Sequence, residues 1–480
     1  MSVESPPSSR RWWALALIAT AQFIVIMDTS IIGVALPRMQ EDLGFSQENL
    51  SWVFNAYVVA FGGLLLLGGR LSDLFGARRM FSVGWGILLV GSAVAGLAGT
   101  VGIELAGRAV QGAGAALIAP SALTLLMMFF GSDPRELTKA LALYGAAAPA
   151  GGTAGVFLGG VITEYVSWPW VFYINIPVAV LALVAAPVLM PTGGARVRGA
   201  VDVAGALTVT GGLGAAVYAI VRAPEAGWGS AETWGVLVVS VVLLGIFLRV
   251  QASRREPLMR LSIFRTPNLG AANIAQLLLG GAWIPMWFFL NLYLQQVLGY
   301  SAFPSGAALL PMTLLIMVGM IVLAPRAINR FGPKAMIVTG LVILAIGMGW
   351  LSLIRPDGNF WVDVLPASLV AALGMSLAFI PSLGTAISFA RPEEGGLASG
   401  IVNTSYQVGS ALGLAAMTAV AASYGTAQLG DPSALTDGFS AAFLGSALIA
   451  LAGAVIAALT LRMPHTDGPV QSSSSAAERA

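Results

Sequence analysis

Cysteine is absent from this chain, histidine occurs once, at His465, and lysine only at Lys139 and Lys334. Without cysteine there is no disulfide, thiolate nucleophile, zinc ribbon or iron–sulfur cluster. One histidine, in a polar tail, leaves no His-ligated metal and no imidazole relay within an apolar segment. Neither lysine follows a glycine as a phosphate-binding loop requires. No metal, cofactor or nucleotide is therefore expected, and any work must draw on a gradient. Charge is equally scarce: Asp, Glu, Lys and Arg make up 10% of the 480 residues, against roughly 25% in a soluble chain. The basic balance, net +2 with a pI near 9.0, does not point to nucleic acid, because the placement of the cations accounts for it.

What remains is apolar: 57% hydrophobic residues, a mean hydropathy of +0.85, and runs of about 20 residues that recur from end to end. The chain reads as an all-α integral membrane protein with fourteen transmembrane helices, the first over 12–36, the ninth over 268–296 and the thirteenth over 397–422. With the N-terminus inside, only Arg38, Arg222 and Arg355 among the 24 Lys and Arg fall outside, and Arg108 lies within a span. That asymmetry places both termini in the cytoplasm. Arg10 and Arg11 before an apolar run resemble a signal peptide, but the run continues to Leu36, beyond the 7–15 residues of a signal core, and is read as a retained helix. Residues 1–11 and 463–480 are read as cytoplasmic tails.

A shift of 256 residues aligns GGRLSDLFGARRM (68–80) with APRAINRFGPKAM (324–336), bringing Arg70 onto Arg326, Phe75 onto Phe331, Gly76 onto Gly332 and Met80 onto Met336. Duplication divides the spans into six, two and six: an N-terminal bundle over 12–190, an inserted pair over 201–250 and a C-terminal bundle over 268–462. Two repeated bundles around a central path form a common transporter plan.

Few residues inside the spans carry chemistry. An aspartate at mid-membrane costs about 2.5–3.5 kcal/mol, so Asp28 should face protein or a water-filled cavity. Arg108 reaches a similar depth from the outside. Either the two line one cavity, where Asp28 exchanges a proton, or they form a static pair that fixes packing. Gln111 shares the Arg108 face, as a cavity residue or a plain interhelical hydrogen bond. Glu104, Glu164 and Asp363 fall near outer helix ends and are expected to be solvated. Asp73 stands at the end of helix 2 beside Arg70, Arg78 and Arg79, where it can receive guanidinium bonds or cap a helix; alternatively the basic loop only sets orientation. In helix 9, Gln276, Trp283, Trp287 and Asn291 recur on one face, suited to an amphipathic or cationic guest or simply to packing. Asn403 and Gln407 share a face of helix 13. Gly145, Gly151, Gly155 and Gly159 give helix 5 a small-residue surface that permits close helix approach.

The order of these segments resembles the major facilitator superfamily, in its fourteen-helix drug:proton antiporter branch, over about residues 12 to 462. GRLSDLFGARR (69–79) is similar to the superfamily's loop 2–3 motif, with Gly69, Asp73, Gly76, Arg78 and Arg79 matching. MDTSIIGVALP (27–37) resembles the helix 1 signature around an aspartate. GRAVQGAGAALIAPSAL (107–123) resembles the helix 4 motif, and GAAAPAGGTAGVFLGG (145–160) the helix 5 antiporter motif, with Val156 where proline is usual. SWPWVFYINIP (167–177), YLQQVLGYS (293–301) and SGIVNTSYQVGSALG (399–413) are also similar to segments of the branch.

The resemblance implies a major facilitator fold in a bacterial cytoplasmic membrane and no enzymatic activity. It implies proton-coupled export of amphipathic drugs or antibiotics, hence antibiotic resistance, by a monomer whose partners are a small-molecule substrate, protons and the bilayer. It also implies that the loop around Asp73 latches the bundles on the cytoplasmic side and that the helix 5 glycines seal a dry interface. Two alternatives stand beside it: a dedicated exporter of one endogenous metabolite or lipid, and a non-transporting membrane sensor or scaffold.

Overall fold

Lipid offers no hydrogen-bond partners to a backbone, so an apolar run of membrane length must satisfy its own amides, as a helix does. In the computed structural model the described residues are 8–131, 133–190, 201–254, 257–388, 395–426, 428 and 430–462. Among them are fourteen helices long and apolar enough to cross a membrane. They are α1 (Arg10–Leu43), α2 (Asn49–Phe75), α3 (Ala77–Gly96), α4 (Val101–Phe130), α5 (Arg135–Tyr165), α6 (Trp170–Leu189), α7 (Val203–Ala226) and α8 (Ala231–Ser253). After them come α9 (Leu269–Val297), α10 (Ala302–Phe331), α11 (Pro333–Leu351), α12 (Phe360–Thr385), α13 (Gly400–Thr426) and α14 (Pro432–Thr460). Their number and order are those expected from the apolar runs. Helix already begins at Ser8, inside the expected first tail, while residues 1–7 and the second tail, 463–480, lie outside the described residues. At its other end α1 runs on to Leu43, past the expected boundary, with Pro37 inside the helix.

Side-chain caps mark the ends where the sequence supplies them. Thr100 caps α4 through the Ile103 amide, Asp133 caps α5, Asp202 caps α7, Ser230 caps α8 and Asp431 caps α14. The repeat is visible in the backbone. Gly76 ends α2 at φ 94° and Gly332 ends α10 at φ 81°, a region open to glycine and costly for other residues. Each amide closes the last turn, Gly76 on the Ser72 carbonyl at 2.9 Å and Gly332 on Ile328 at 2.8 Å. The same shift of 256 joins the next helices. Gly84 and Gly91 bring α3 against Gly114 and Gly107 of α4, and Gly340 and Gly347 bring α11 against Gly374 and Ala371 of α12.

Within α1–α6, α4 packs along both α2 and α3, and α1 packs along α5; within α9–α14, α9 packs on α13 and α14, and α11 on α12 and α14. Two seams join these groups: α5 against α10, and α2 against α13. The pair α7–α8 lies outside the second seam, with α7 touching both α2 and α13. Asp202 holds the foot of that pair: its carboxylate accepts from the Gly205 amide at 2.9 Å and Gln251 Nε2 at 2.7 Å, and Gln251 Oε1 accepts from the Met259 amide at 3.0 Å.

The α1–α5 contact follows the glycine ridge. A Cβ on Gly151 would collide with the Phe23 carbonyl, one on Gly155 would stand 2.8 Å from the Met27 carbonyl, and one on Gly159 2.6 Å from that of Ile31. Gly145, expected in the same packing, has nothing within 4 Å of its would-be Cβ, because the ridge meets α1 only from Gly151 onward. Val156, in the place of the usual proline, is buried, and its carbonyl faces Gly306 of α10; α5 carries its proline at 149 instead. Gly151→Ala is expected to destabilise by about 1–3 kcal/mol, as overpacking does, and to lower the unfolding midpoint of detergent-solubilised protein. Gly145→Ala is expected to leave that midpoint unchanged or raise it, since only helix propensity changes.

Candidate functional site

The N-terminal half of α4 presents Glu104, Arg108 and Gln111 along one face, and the neighbouring helices converge on it. Asp28 of α1 and Arg108 are both 0% exposed, and their side chains pair at 2.5 Å. The same Arg108 nitrogen donates to Gln111 Oε1 at 2.6 Å, and Arg108 Nε donates to the Val53 carbonyl of α2 at 2.9 Å. Gln111 Nε2 donates to Asp28 Oδ1 at 3.1 Å and also to Ser92 Oγ of α3 at 2.9 Å. Asn175 of α6 gives Asp28 a third donor at 2.7 Å. Tyr57 lies under the guanidinium at 4.6 Å from its ring centroid, and Phe172 lies at 5.9 Å. Asp28 is thus a carboxylate with three donors. Arg108 is a cation enclosed by a carboxylate, an amide, a carbonyl and two aromatic rings, although its Nη2 has no hydrogen-bond partner.

Asp28, Arg108 and Gln111 are the residues the sequence singled out here. Asn175, Ser92, Tyr57 and the Val53 carbonyl are additional. Asn175 left a readable signal, a lone amide inside the apolar run of helix 6. The carbonyl left none, since any residue supplies one.

Glu104 corrects an expectation. It is not solvated: its exposure is 0%, and neither carboxylate oxygen has a partner. Its place one helical turn above Arg108 turns it into the bundle with the rest of the face. Glu164 is exposed as expected. Asp363 is held by Arg355 at 3.0 Å and by the Asn359 amide at 2.6 Å.

On α9 the four expected residues are all buried: Gln276 at 1%, Trp283 and Trp287 at 7%, and Asn291 at 0% exposed. The two indoles lie 6.5 Å apart. A Cβ on Gly33 of α1 would approach the Asn291 amide nitrogen at 3.0 Å and Trp287 Nε1 at 3.2 Å, so this face looks across at α1, five residues beyond Asp28. Gln276 donates to the Phe379 carbonyl at 3.2 Å, and Asn291 to its own helix at Trp287. Gln276 Oε1 and Asn291 Oδ1 are buried without partners. Gln407 packs at Gly62 of α2, in the α2–α13 seam, and Asn403 is exposed; the structure does not gather these two with the indole face.

At the basic-loop end, Asp73 is exposed, and Arg70 is the charge that acts on it. Arg78 donates to the Pro187 and Met190 carbonyls at 3.3 and 3.2 Å, tying the α2–α3 turn to the end of α6, while Arg79 is exposed. Gly69 approaches Pro120 of α4. The Arg78 bonds run within the first six helices.

The far end holds a contact not anticipated from sequence. Gln40 donates to Gln47 at 2.9 Å, Gln47 to Gln296 at 3.1 Å, and Gln296 back to Gln40 at 2.8 Å, a closed ring of amides between the first and last groups of helices. Beside it Gln295 donates to the Val34 carbonyl at 2.9 Å. Both α9 glutamines sit in a π turn over Tyr293–Val297, whose extra residue per turn re-aims them toward α1.

Fourteen spans, a repeated loop motif and a buried ion pair between helices 1 and 4 define a polytopic membrane protein of transporter architecture. A model of the Major Facilitator Superfamily matches residues 18–414 and again 326–480, and the chain belongs to that family. It is 39% identical over 92% of its length to the cephamycin export protein CmcT of Amycolatopsis lactamdurans, covering 91% of that protein. It is 38% identical over 90% to the puromycin resistance protein of Streptomyces alboniger, covering 87% of it. It is 34% identical over 86% to the tetracenomycin C resistance and export protein of Streptomyces glaucescens, covering 76%. The nucleoside transporter NupG shares the fold with a TM-score of 0.66 at 13% identity, over 93% of this chain and 99% of that one.

Asp28→Ala would break the buried pair with Arg108 and strand the Gln111 and Asn175 donors, a loss of about 3–5 kcal/mol, while Asn175→Ala would remove one of three donors at about 1–3 kcal/mol. Unfolding midpoints of the purified variants should fall in that order.

Proposed function

We propose that this protein exports amphipathic drugs or antibiotics from the cytoplasm of a bacterium in exchange for protons. The exchange works by alternating access between the halves 12–190 and 268–462, and the pair α7–α8 is an addition at their seam. Both termini lie in the cytoplasm on this reading, and the protein acts as a monomer in the cytoplasmic membrane. The relatives support the cargo class, since each is an export or resistance protein for an antibiotic.

One observation carries the coupling: a carboxylate and a guanidinium, both fully buried, joined between α1 and α4. A proton on Asp28 removes its charge, weakens the hold of Arg108, Gln111 and Asn175, and frees α1 from α4 and α6. The helix so released is the one whose outer end reaches the glutamine ring, and whose Val34 carbonyl takes the Gln295 bond. Protonation at one point thereby bears on closure at the other, because both are carried by one continuous helix. The ring holds the outside shut through neutral amide bonds, which can break and reform without stranding a charge. Trp283, Trp287, Gln276 and Asn291 offer the cargo flat apolar surface with unpartnered amide oxygens beside it.

A narrower reading, export of a single compound, is favoured by the relatives' names, each of which cites one antibiotic. The assay uses purified protein in liposomes with an acidic interior, to which puromycin, tetracenomycin C or ethidium is added. Wild type should release internal protons with at least one probe, and Asp28→Asn with none. Release by Asp28→Asn at the wild-type rate would move coupling elsewhere. Uptake of probe without proton release would refute exchange. Response to one probe alone would favour the narrow exporter.

The outer closure has its own test, helped by the lack of native cysteine. A single Val34→Cys reporter should react several-fold faster with a membrane-impermeant maleimide when Gln296→Ala is added. An unchanged rate would show that the ring does not hold that side closed.

A further inference from the structure

We propose that Glu104 is a second proton site and the alternate counter-ion of Arg108, so that one proton and one negative charge are exchanged between Glu104 and Asp28. The inference rests on the proton-coupled reading above and adds to it the residue through which the proton passes. Three facts carry it. Glu104 is fully buried with both oxygens unpartnered. It precedes Arg108 by four residues on the same helix, the spacing at which side chains meet. The guanidinium nitrogen Nη2 is itself buried without a partner.

The hydrogen bonds identify where the proton sits. Asp28 accepts three donors, which is the pattern of a carboxylate, and Glu104 accepts none, which a buried carboxylate does not survive. In this state Glu104 carries the proton and Asp28 the charge. One cation beside two carboxyl groups favours a single ionised partner, because a second charge would be buried unpaired. In the exchanged state the O–H bond of Glu104 breaks, an O–H bond forms on Asp28, and Arg108, protonated throughout, turns Nη2 to the new Glu104 carboxylate. The total charge of the three side chains is unchanged, so the exchange requires no additional buried charge.

Position suits Glu104 to the outward end of a proton path. It lies about 5 Å from the start of α4 at a rise of ~1.5 Å per residue, above Arg108 and closer to the outer surface. Arg108 and Asp28 are the charges that act on it. Tyr57 of α2 faces the same pair, and the charges of α3, Arg78 and Arg79, stand at the opposite end of that helix.

The test needs no substrate. Infrared spectra of the full-length protein in lipid at neutral pH should contain the C=O stretch of a protonated carboxylic acid. Glu104→Gln should remove that band, and Glu104→Asp, which keeps a carboxyl, should shift it. In an Asp28→Asn background the Glu104→Gln substitution should remove no acid band, because Glu104 has then become the carboxylate paired with Arg108. Failure of Glu104→Gln to remove a band in otherwise wild-type protein would overturn the assignment. Removal of the band in the Asp28→Asn background would overturn the exchange. Absence of substrate-driven proton release from wild-type liposomes would instead count against antiport and leave the infrared result to stand alone.

Discussion

A guanidinium taken out of water must be surrounded by acceptors, and most of the first six helices are arranged around meeting that demand for Arg108. Its partners come from α1, α2 and α4, and the residues that complete them come from α3 and α6. No two of these helices alone could supply the set. An unpaired ion in low dielectric costs several kcal/mol, so the pair acts as a register pin, fixing the rotation and depth of every helix that touches it. Neutralising one carboxylate alters the balance for five helices at once.

The rest of the packing is apolar and forgiving by comparison, and it relies on backbone approach rather than on charge. Glycine seams recur wherever two helices run close: α1 with α5, α3 with α4, α11 with α12, α9 with α13. Lipid tails are as apolar as leucine, so burial of aliphatic surface does little to drive helices together in a bilayer. Close dispersion contact and a few polar bonds do the work. The recurrence of this device at a shift of 256 residues, in both the capping glycines and the helix seams, shows one packing solution used twice. The two copies differ in chemistry. The first surrounds an ion pair, and the second presents indoles and amides toward it, with Gly33 of α1 and the Trp287–Asn291 turn of α9 as the point where they face each other.

The pair α7–α8 adds a third element to this plan. It adheres to the α2–α13 seam through α7, with a buried carboxylate, Asp202, satisfied at its foot. Because α7 touches both groups of helices, the pair spans a joint that alternating access would have to flex.

Much of this was legible in the sequence. Length and hydropathy of the runs decide the number of helices, because a backbone in lipid has almost no alternative. The scarcity of charge made Asp28 and Arg108 conspicuous, and their matching depth was enough to suggest a pair. The loop motif and its copy announced the duplication. Other features depended on rotation and reach, which a one-dimensional pattern does not carry. Glu104, near a helix end, has the sequence position of a solvated residue, yet its helical phase places it inside beside Arg108. Gly145 belongs by composition with the other helix 5 glycines, but the contact with α1 begins only at Gly151. The glutamine ring joins residues about 250 positions apart and depends on a π turn that no local composition announces. The sequence by itself determined what could be buried and how often the chain must cross, since those follow from transfer energies summed along it. Only the tertiary structure decided which buried groups meet, because that is set by helix rotation and close approach in three dimensions, where a displacement of one residue turns a side chain by about 100°.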